Sequence, residues 1–314
     1  MIMQIAITIV QWLVVVLGAP LVVGIIRKIK ARLQGRRGPG VWQPYFNLRK
    51  LLIKEVVISD STSWLFQITP YVVMGTMLLS ALIVPVLTTA GSFQFLGNII
   101  LLMSVFLLGT FFLALAALDA GSSFGGMGSS REMAIAALAE PTVMIAIFAI
   151  ALRAGSTDLN EIIRRSVSDP LLLLNPGHLV AFLSFVIVAL AETGRMPVDN
   201  PSTHLELTMV HEAMILEYSG RYLALIQWAS FIKLLLFLTL IGNIFFPWGV
   251  AVTLAPSALL AGVVTFVIKV AVLAAGVAVL ETALAKLRLF LVPELLSGSF
   301  MLALLAVISF FFLR

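Results

Sequence analysis

The side chains most able to do chemistry in this sequence are ionisable groups inside long apolar runs. Glu140, Lys233 and Lys269 are in this position. An ionised side chain in hydrocarbon costs at least about 2.5–3.5 kcal/mol, so each group needs a partner or a function. Glu140 is open to two interpretations: a static ion pair with a lysine, or a buried carboxyl group that binds and releases a proton. We favour the second; Pro141 adds a polar spot beside it, because proline leaves a backbone carbonyl unpaired one turn earlier.

The two lysines differ in how easily they could reach water. Lys233 lies near the cytoplasmic third of its run, so its ammonium group could extend to the surface, an explanation as good as a proton-carrying role. Lys269 lies near the centre of its run, which favours an ion-pair partner or a proton path. Glu281 ends the same run and is most simply an interfacial residue.

A dense acidic cluster separates two of the apolar runs. Like charges placed close together favour partial protonation near neutral pH, which suits groups that take up and release protons. The alternative is a solvated surface, which we accept for Glu212 alone but not for the set. The cluster comprises Glu192, Asp199, Glu206, Glu212 and Glu217, with Arg195 and Arg221 among them. Asp119, Arg131 and Glu132 are further polar candidates.

Catalytic and metal-binding motifs are missing from the pattern. His211-Glu212 begins like a zinc-protease motif, but Ile215 stands where the second histidine is needed. His204 and His211 are two helical turns apart, about 10 Å, too far to share an ion. The run 121–128 lacks the lysine of a phosphate loop and is most simply a flexible turn. Without cysteine, the chain has no disulfide and no Cys-ligated zinc or iron–sulfur cluster. We therefore expect no metal and no cofactor in this chain.

Composition identifies the solvent around these groups. Of 314 residues, 61% are hydrophobic and only 11% are charged, whereas a soluble domain carries roughly 25% charged residues. The mean hydropathy is +1.11. The chain is therefore an integral membrane protein, which excludes soluble nucleotide-binding enzymes and makes nucleic-acid binding improbable despite a pI near 9.7.

The apolar runs predict an all-α polytopic membrane helix bundle that forms a single domain over residues 1–314. A spanning helix needs about 20 apolar residues, and the fifth candidate has a shorter apolar stretch than that. The first run has no basic segment before it, so we expect it to be retained as a helix rather than cleaved as a signal peptide. The eight predicted spans are roughly 5–26, 68–89, 97–118, 131–153, 178–193, 223–245, 257–281 and 295–313.

Basic residues predict the orientation. Fourteen of the 20 lie in the odd-numbered loops, and four lie in the even-numbered loops and the C-terminus. The positive-inside rule therefore places the odd loops in the cytoplasm and both termini on the extracytoplasmic side. Two cytoplasmic loops are long, 27–67 and 194–222, and the first contains an amphipathic stretch, Tyr45 to Val57, that can lie in the membrane interface.

Both long loops carry sequences typical of a known family. Gly35-Arg-Arg-Gly-Pro-Gly40, followed by Lys50-Leu-Leu-Ile-Lys-Glu55, resembles the first loop of the H-type subunit family of respiratory complex I. Glu192-Thr-Gly-Arg-Met-Pro-Val-Asp199 and Glu217-Tyr-Ser-Gly220 resemble its fifth-loop signature. The resemblance implies a membrane subunit beneath a redox arm, at the start of a proton route into antiporter-like subunits.

Other segments indicate the branch. Quinone-reducing members carry three carboxylates in a run where this chain has Pro201-Ser-Thr-His-Leu-Glu206-Leu207, with one. This departure argues against quinone binding. Four segments instead resemble the membrane subunits of energy-converting [NiFe] hydrogenases, of the formate hydrogenlyase and hydrogenase-4 type: Leu118-Asp-Ala-Gly-Ser-Ser-Phe124, Gly128-Ser-Ser-Arg-Glu132 with Glu140-Pro141, Trp64-Leu-Phe-Gln-Ile-Thr-Pro-Tyr71 and Phe246-Pro-Trp-Gly249.

This resemblance implies a non-catalytic coupling subunit in a prokaryotic cytoplasmic membrane. The implied partners are the hydrogenase large and small subunits, an iron–sulfur subunit and antiporter-like membrane subunits. The [NiFe] centre and iron–sulfur clusters would belong to those partners. The implied seat of the peripheral arm is Arg36, Arg37, Gly38, Pro39, Arg195 and Arg221. The implied proton pathway is Glu140, Glu192, Asp199, Glu206, Glu217, Lys233 and Lys269.

Two other functions remain open: a quinone-chamber subunit of an NADH or ferredoxin dehydrogenase, and a stand-alone ion/proton antiporter. An antiporter built from inverted repeats would show matching interrupted helices in its two halves, and the sequence has no such repeat. Whether the coupled ion is H⁺ or Na⁺ stays open.

Overall fold

The computed structural model describes residues 2–91, 96–169, 175–199, 209–285, 287 and 291–312, and the regular structure within them is helical. Glu206, one of the predicted proton carriers, lies outside these residues, as do Pro201 and the rest of that motif. The helices are α1 (Ile2–Leu33), α2 (Gln43–Ile53), α3 (Trp64–Ile83), α4 (Ile99–Asp119), α5 (Ser123–Ala154), α6 (Leu159–Ser168), α7 (Pro176–Glu192), α8 (His211–Met214), α9 (Gly220–Leu240), which continues as a π-turn (Ile241–Phe245), α10 (Pro256–Ala283) and α11 (Val292–Phe312).

Seven of these helices are long and apolar enough to cross a membrane, and α7 is a shorter apolar helix. The predicted helical membrane bundle, with about eight apolar helices and a short fifth one, is therefore confirmed. Helix α9 has the largest share of buried residues among the seven, and α10 and α11 have the smallest. A core of aromatic side chains surrounds α9, with Phe66, Phe185, Phe237 and Phe245 fully buried.

The glycine- and serine-rich run 121–128 is mostly helix, so the predicted flexible turn is wrong. Helix α5 begins at Ser123, and the Ser122 hydroxyl caps it by accepting from the backbone N–H of Gly125. A Cβ at Gly125 would collide with the carbonyl oxygen of Ala117, and one at Gly128 would lie 2.9 Å from the Cβ of Ala213. The glycines therefore serve close helix packing rather than flexibility.

The loops gather on two opposite faces. On one face, which we call the basic face, lie the connections that follow α1, α4, α7 and α10. Its contacts include hydrogen bonds from the Ser63 N–H to Asp119 (2.8 Å) and from the Ser219 hydroxyl to the Val57 carbonyl (3.0 Å). On the opposite face, the Ala251 N–H donates to Leu87 O (3.0 Å). The apolar helices therefore alternate in direction.

A buried irregular segment follows α3 near the opposite face. The predicted second span ran to residue 89, but α3 ends at Ile83, because Pro85 disfavours helical backbone at the residue before it. In lipid, backbone groups must find partners within the protein. The side-chain oxygen of Gln11 accepts from the N–H groups of residues 86–88, and the Asn243 amide donates to the carbonyls of residues 85 and 86 at 2.9 Å each.

Candidate functional site

A cavity of about 610 Å³ extends into the bundle from the basic face. Lys233 lies thirteen residues after the start of α9, about 20 Å along its axis, and marks the depth of the cavity. Several apolar side chains also line it, among them Val73, Met77 and Leu113. The ionisable groups of the lining are Arg27, Lys30, Arg36, Arg37, Glu132, Glu192, Arg195, Asp199, His211, Glu212, Lys233 and Glu281.

Lys233 and Glu192 form an ion pair at the inner part of this cavity. The Lys233 ammonium donates to Oε2 of Glu192 at 2.7 Å, and the side chains are 13% and 8% exposed. Lys233 therefore does not extend to the surface. The other carboxylate oxygen of Glu192, Oε1, is buried without a hydrogen-bond partner. Glu192 thus keeps one free acceptor position while its other oxygen holds a cation.

Glu140 lies deeper in α5, half-buried, and its Oε1 is also buried without a hydrogen-bond partner. The charges within its electrostatic reach are Glu192, Lys233 and Glu132. The static ion pair is not formed, because Lys233 bonds to Glu192 instead. Glu140 therefore lies beside this group of charges without an ion pair among the described residues.

Glu132 lies on the same face of α5 as Glu140, because eight residues separate them. It lines the cavity, within electrostatic reach of Lys233, Glu192 and His211. Among the sequence candidates it was only a secondary one. The eight-residue spacing from Glu140 is the signal that could have raised its rank.

Glu281 joins three parts of the basic face. Its carboxylate accepts from Lys30 and from Arg195, each at 2.8 Å, and its side chain is only 2% exposed. The sequence predicted an interfacial residue; Glu281 does end α10 at the basic face, but the two cations allow its carboxylate to be buried away from water. Arg195, assigned by resemblance to the peripheral-arm seat, points inward to Glu281 and is 12% exposed.

The rest of the implied peripheral-arm seat lies at the surface. Arg36, Arg37 and Pro39 are exposed and border the cavity mouth, and Gly38 is half-buried against Ala31. The exposed Arg221 guanidinium lies 5.7 Å from the ring centroid of Tyr222.

The acidic cluster is divided between the cavity and the surface. Asp199 is buried, and its Oδ2 accepts from the N–H groups of residues 210 and 211 at 3.4 and 3.3 Å, which holds the two ends of the fifth loop together. Glu212 is half-buried in the cavity lining. Glu217 is exposed outside that lining. Arg131 supports the loop by donating to Met209 O at 3.2 Å.

The segment after Glu217 fixes the fifth loop against the first. The Tyr218 ring stacks on Phe66 at 4.0 Å and its hydroxyl donates to the Phe66 carbonyl, while burial raises the pKa of Tyr218. Gly220 has φ +51°, and a Cβ there would collide with the carbonyl oxygen of Glu55. Residues 218 and 220 of the 217–220 motif therefore have a structural role, which its sequence did not reveal: they hold the fifth loop against the first.

Lys269 lies apart from the carboxylates. Its ammonium donates to Oδ1 of Asn243 at 3.3 Å. Asn243 is ten residues beyond Lys233 along α9 and its π-turn, roughly 15 Å, and the intervening side chains are mostly apolar. No ion pair to Lys269 occurs within the part of the chain that the structure describes.

Residues that could hold a metal are not grouped: the described residues contain no cluster of three His, Cys, Asp or Glu side chains with suitable geometry. The arrangement can bind and move protons or small cations along the cavity, and can hold a partner at its mouth.

Two kinds of known protein are similar to this chain over most of its length. Formate hydrogenlyase subunit 4 of Escherichia coli (strain K12) is 34% identical over 98% of this chain and 99% of its own length. Hydrogenase-4 component C of the same organism is 33% identical over 94% and 92%. The H-type subunit of NADH-quinone oxidoreductase from Pelagibacter ubique (strain HTCC1062) is 29% identical over 82% and 78%.

A solved structure has the same fold. One chain of the membrane-bound sulfane sulfur reductase, an archaeal respiratory membrane complex, superposes with a TM-score of 0.78 at 20% identity and covers 96% of this chain and 98% of its own. Both predicted resemblances, to the H-type subunits of complex I and to the hydrogenase branch, are confirmed by the relatives. The family match extends over residues 5–312, and the chain belongs to the NADH dehydrogenase family, NADHdh.

Proposed function

We propose that this chain is the membrane-anchor and coupling subunit of a complex I-like, energy-converting [NiFe] hydrogenase of the formate hydrogenlyase type. It links redox chemistry in a peripheral arm to translocation of H⁺ or Na⁺. The observation that carries the proposal is the Lys233–Glu192 pair in the cavity, with Glu140 beyond it holding an unpartnered buried oxygen. The hydrogenlyase and hydrogenase-4 relatives support the choice of branch.

The pair supplies a switch for proton movement. When a proton reaches the free oxygen of Glu192, the carboxyl group becomes neutral and holds Lys233 less strongly. The long flexible stem of Lys233 then lets its ammonium group turn toward Glu140 or Glu132, the other acids within its electrostatic reach. A cation beside Glu140 favours its ionised form, so Glu140 releases its proton. The chain itself catalyses no bond chemistry in this proposal.

The peripheral arm docks on the basic face, at the exposed residues of the cavity mouth around Arg36 and Arg37. The proposed partners are the hydrogenase large and small subunits, an iron–sulfur subunit and antiporter-like membrane subunits; the [NiFe] centre and clusters belong to them. The basic face is cytoplasmic, and the membrane is the prokaryotic inner membrane. Purification of the complex followed by identification of its subunits and its nickel content tests this set of partners.

The decisive experiment is Glu140→Gln in the assembled complex, because glutamine keeps the shape and removes the titratable group. We expect ion translocation to fall at least tenfold, as for loss of one proton-transferring group, with assembly unchanged. Hydrogen evolution and vesicle acidification, or sodium uptake, are the measurements. Glu294→Gln, at an exposed carboxylate at the start of α11, is the control. Wild-type translocation by Glu140→Gln would refute the relay.

A second candidate function, the quinone chamber, is supported by one observation. The apolar part of the cavity lining, Val73, Met77 and Leu113, offers the surface that an isoprenoid tail needs. A quinone-analogue inhibitor that blocks turnover would favour this function, whereas inhibitor-insensitive hydrogen evolution favours the first. Transport by the purified chain alone in liposomes would instead identify a stand-alone antiporter.

A further inference from the structure

Helix α2, in the long loop on the basic face, divides its surface into three parts. One side packs on α1 and α9 and buries Pro44 and Leu48. A second side is mainly apolar and exposed: Trp42, Phe46 and Ile53 are 61%, 61% and 74% exposed. Their spacing of four and seven residues keeps them on one face of the helix. One exposed cation, Arg49, lies on the same side. An exposed apolar side on a protein of this kind needs an occupant.

The third side of α2 is polar and basic. Four polar side chains spaced three or four residues apart form a stripe next to the apolar side. They are Gln43, Asn47, Lys50 and Lys54. Both lysines are exposed, and neither makes an ion pair among the residues whose placement is described. With Arg49, which also makes no ion pair among the described residues, three exposed cations thus lie in or beside the apolar strip.

The depth of α2 along α1 shows what surrounds it. After α1 the chain turns back along that helix, and Val41 contacts Gly24, where the absence of a Cβ leaves room for the Val41 carbonyl. The Tyr45 hydroxyl donates to Leu17 O. Gly24 and Leu17 lie inside the apolar run of α1, before its first charged residue, Arg27. The start of α2 is therefore at the depth of the lipid, not above it.

The other end of α2 lies higher. Lys54 follows α2 directly, and its carbonyl oxygen lies close to Gly220, the first residue of α9, on the basic face. The helix is therefore inclined, with Trp42 and Phe46 at acyl-chain depth and the lysines at the surface.

We propose that α2 binds a phospholipid with an anionic headgroup. The acyl chains lie along Trp42 and Phe46, and the headgroup phosphate meets Lys50 and Lys54 at the higher end of the helix. Charge complementarity favours lipid over a protein partner, because the apolar strip and the cations are arranged by depth as in a single phospholipid molecule. This site does not depend on the proposed coupling function.

The test uses the full chain purified in detergent, titrated with phosphatidylglycerol or with phosphatidylcholine while thermal unfolding is followed. We expect phosphatidylglycerol to raise the Tm at lower concentration than phosphatidylcholine does. Each surface lysine contributes about fivefold to binding of an anionic lipid, so Lys50→Gln/Lys54→Gln should raise the half-saturating phosphatidylglycerol concentration more than tenfold and leave phosphatidylcholine unchanged.

Two further variants make the outcome decisive. Arg164→Gln removes an exposed cation from α6 on the opposite face and should leave the lipid preference intact. Phe46→Ser should weaken the response to both lipids. Equal responses of the wild-type chain to the two lipids, or an equal loss in Arg164→Gln, would overturn the site. Loss of co-purifying subunits by Phe46→Ser with unchanged lipid responses would assign the apolar strip to a protein partner instead.

Discussion

At the scale of single residues, two buried carboxylates of the basic face differ in how many of their oxygens are paired. Glu281 uses both carboxylate oxygens on two cations, whereas Glu192 uses one on Lys233 and leaves the other free. A buried carboxylate with both oxygens paired to cations holds the segments that carry those cations together. A half-satisfied one is a position where a proton can be bound, because protonation costs only one ion pair.

Removing one member of the Lys233–Glu192 pair should destabilise the chain strongly. We expect Lys233→Met to lower the free energy of unfolding by about 3–5 kcal/mol, since it leaves a buried carboxylate without its cation. The double variant Lys233→Met/Glu192→Gln should recover most of that loss, because no uncompensated charge remains. Unfolding in detergent micelles measures both. Equal losses in the single and double variants would show that the pair is not coupled.

At the scale of elements, two irregular segments position the charged helices. The first is the 217–220 turn, which holds the start of α9, the helix that carries Lys233, against the first loop. Gly220→Ala should lower the free energy of unfolding by at least about 1–2 kcal/mol, because a left-handed backbone strains an L-residue and its Cβ meets Glu55 O. Thermal unfolding in detergent is the measurement.

Gly126→Ala is the matched control for that substitution. A Cβ at Gly126, inside α5, would have no heavy atom within 4 Å, and alanine is favoured over glycine in a helix by roughly 0.5–1 kcal/mol. We expect this variant to be as stable as the wild type or more so. A loss in Gly126→Ala as large as in Gly220→Ala would contradict a specific role for the turn.

The second irregular segment is the buried stretch after α3 that Gln11 holds. Gln11→Leu leaves three backbone N–H groups without their acceptor, and each unsatisfied buried donor costs about 1–3 kcal/mol. We expect the Tm of the purified chain to fall by several degrees. Gln227→Leu, at a half-buried amide with no side-chain hydrogen bond among the described residues, should leave it nearly unchanged.

At the scale of the whole molecule, alternation of the apolar helices gathers most of the described acidic and basic residues toward one face. The predicted orientation, with this face in the cytoplasm and both termini outside, can be tested directly because the chain contains no cysteine. In intact cells, a membrane-impermeant maleimide should label Ser168→Cys on the opposite face but not Ser59→Cys on the basic face; both positions are exposed. The reverse pattern would invert the topology.

The same labelling in inverted membrane vesicles supplies the control. Ser59→Cys should then react and Ser168→Cys should not, because the accessible side has changed. Labelling of both positions in sealed cells would mean that the reagent crosses the membrane or that the chain is not inserted.

The solvent, the approximate helices, the family resemblance and most members of the ionic site could be predicted from the amino-acid sequence. Charged residues in an apolar run stand out because they are costly wherever they occur. Glu140 and Lys233 could be identified in this way. The end of α3 and the helical glycine run were missed, since a local pattern does not show which backbone atoms a neighbouring helix will meet. The prediction that the fifth apolar helix, α7, is short was confirmed, because the length of an apolar run can be read from the local sequence.

Only the tertiary structure decided which charges belong together. The partners in each ion pair are far apart along the chain. Glu192 meets Lys233 because α7 packs near α9, and Glu281 meets Lys30 because α10 packs on α1. Packing also turned Arg195 inward and placed Lys269 with Asn243 rather than with the acids. An ion pair is a contact between distant segments, so composition and spacing reveal that a buried charge needs a partner, and the fold alone selects which one.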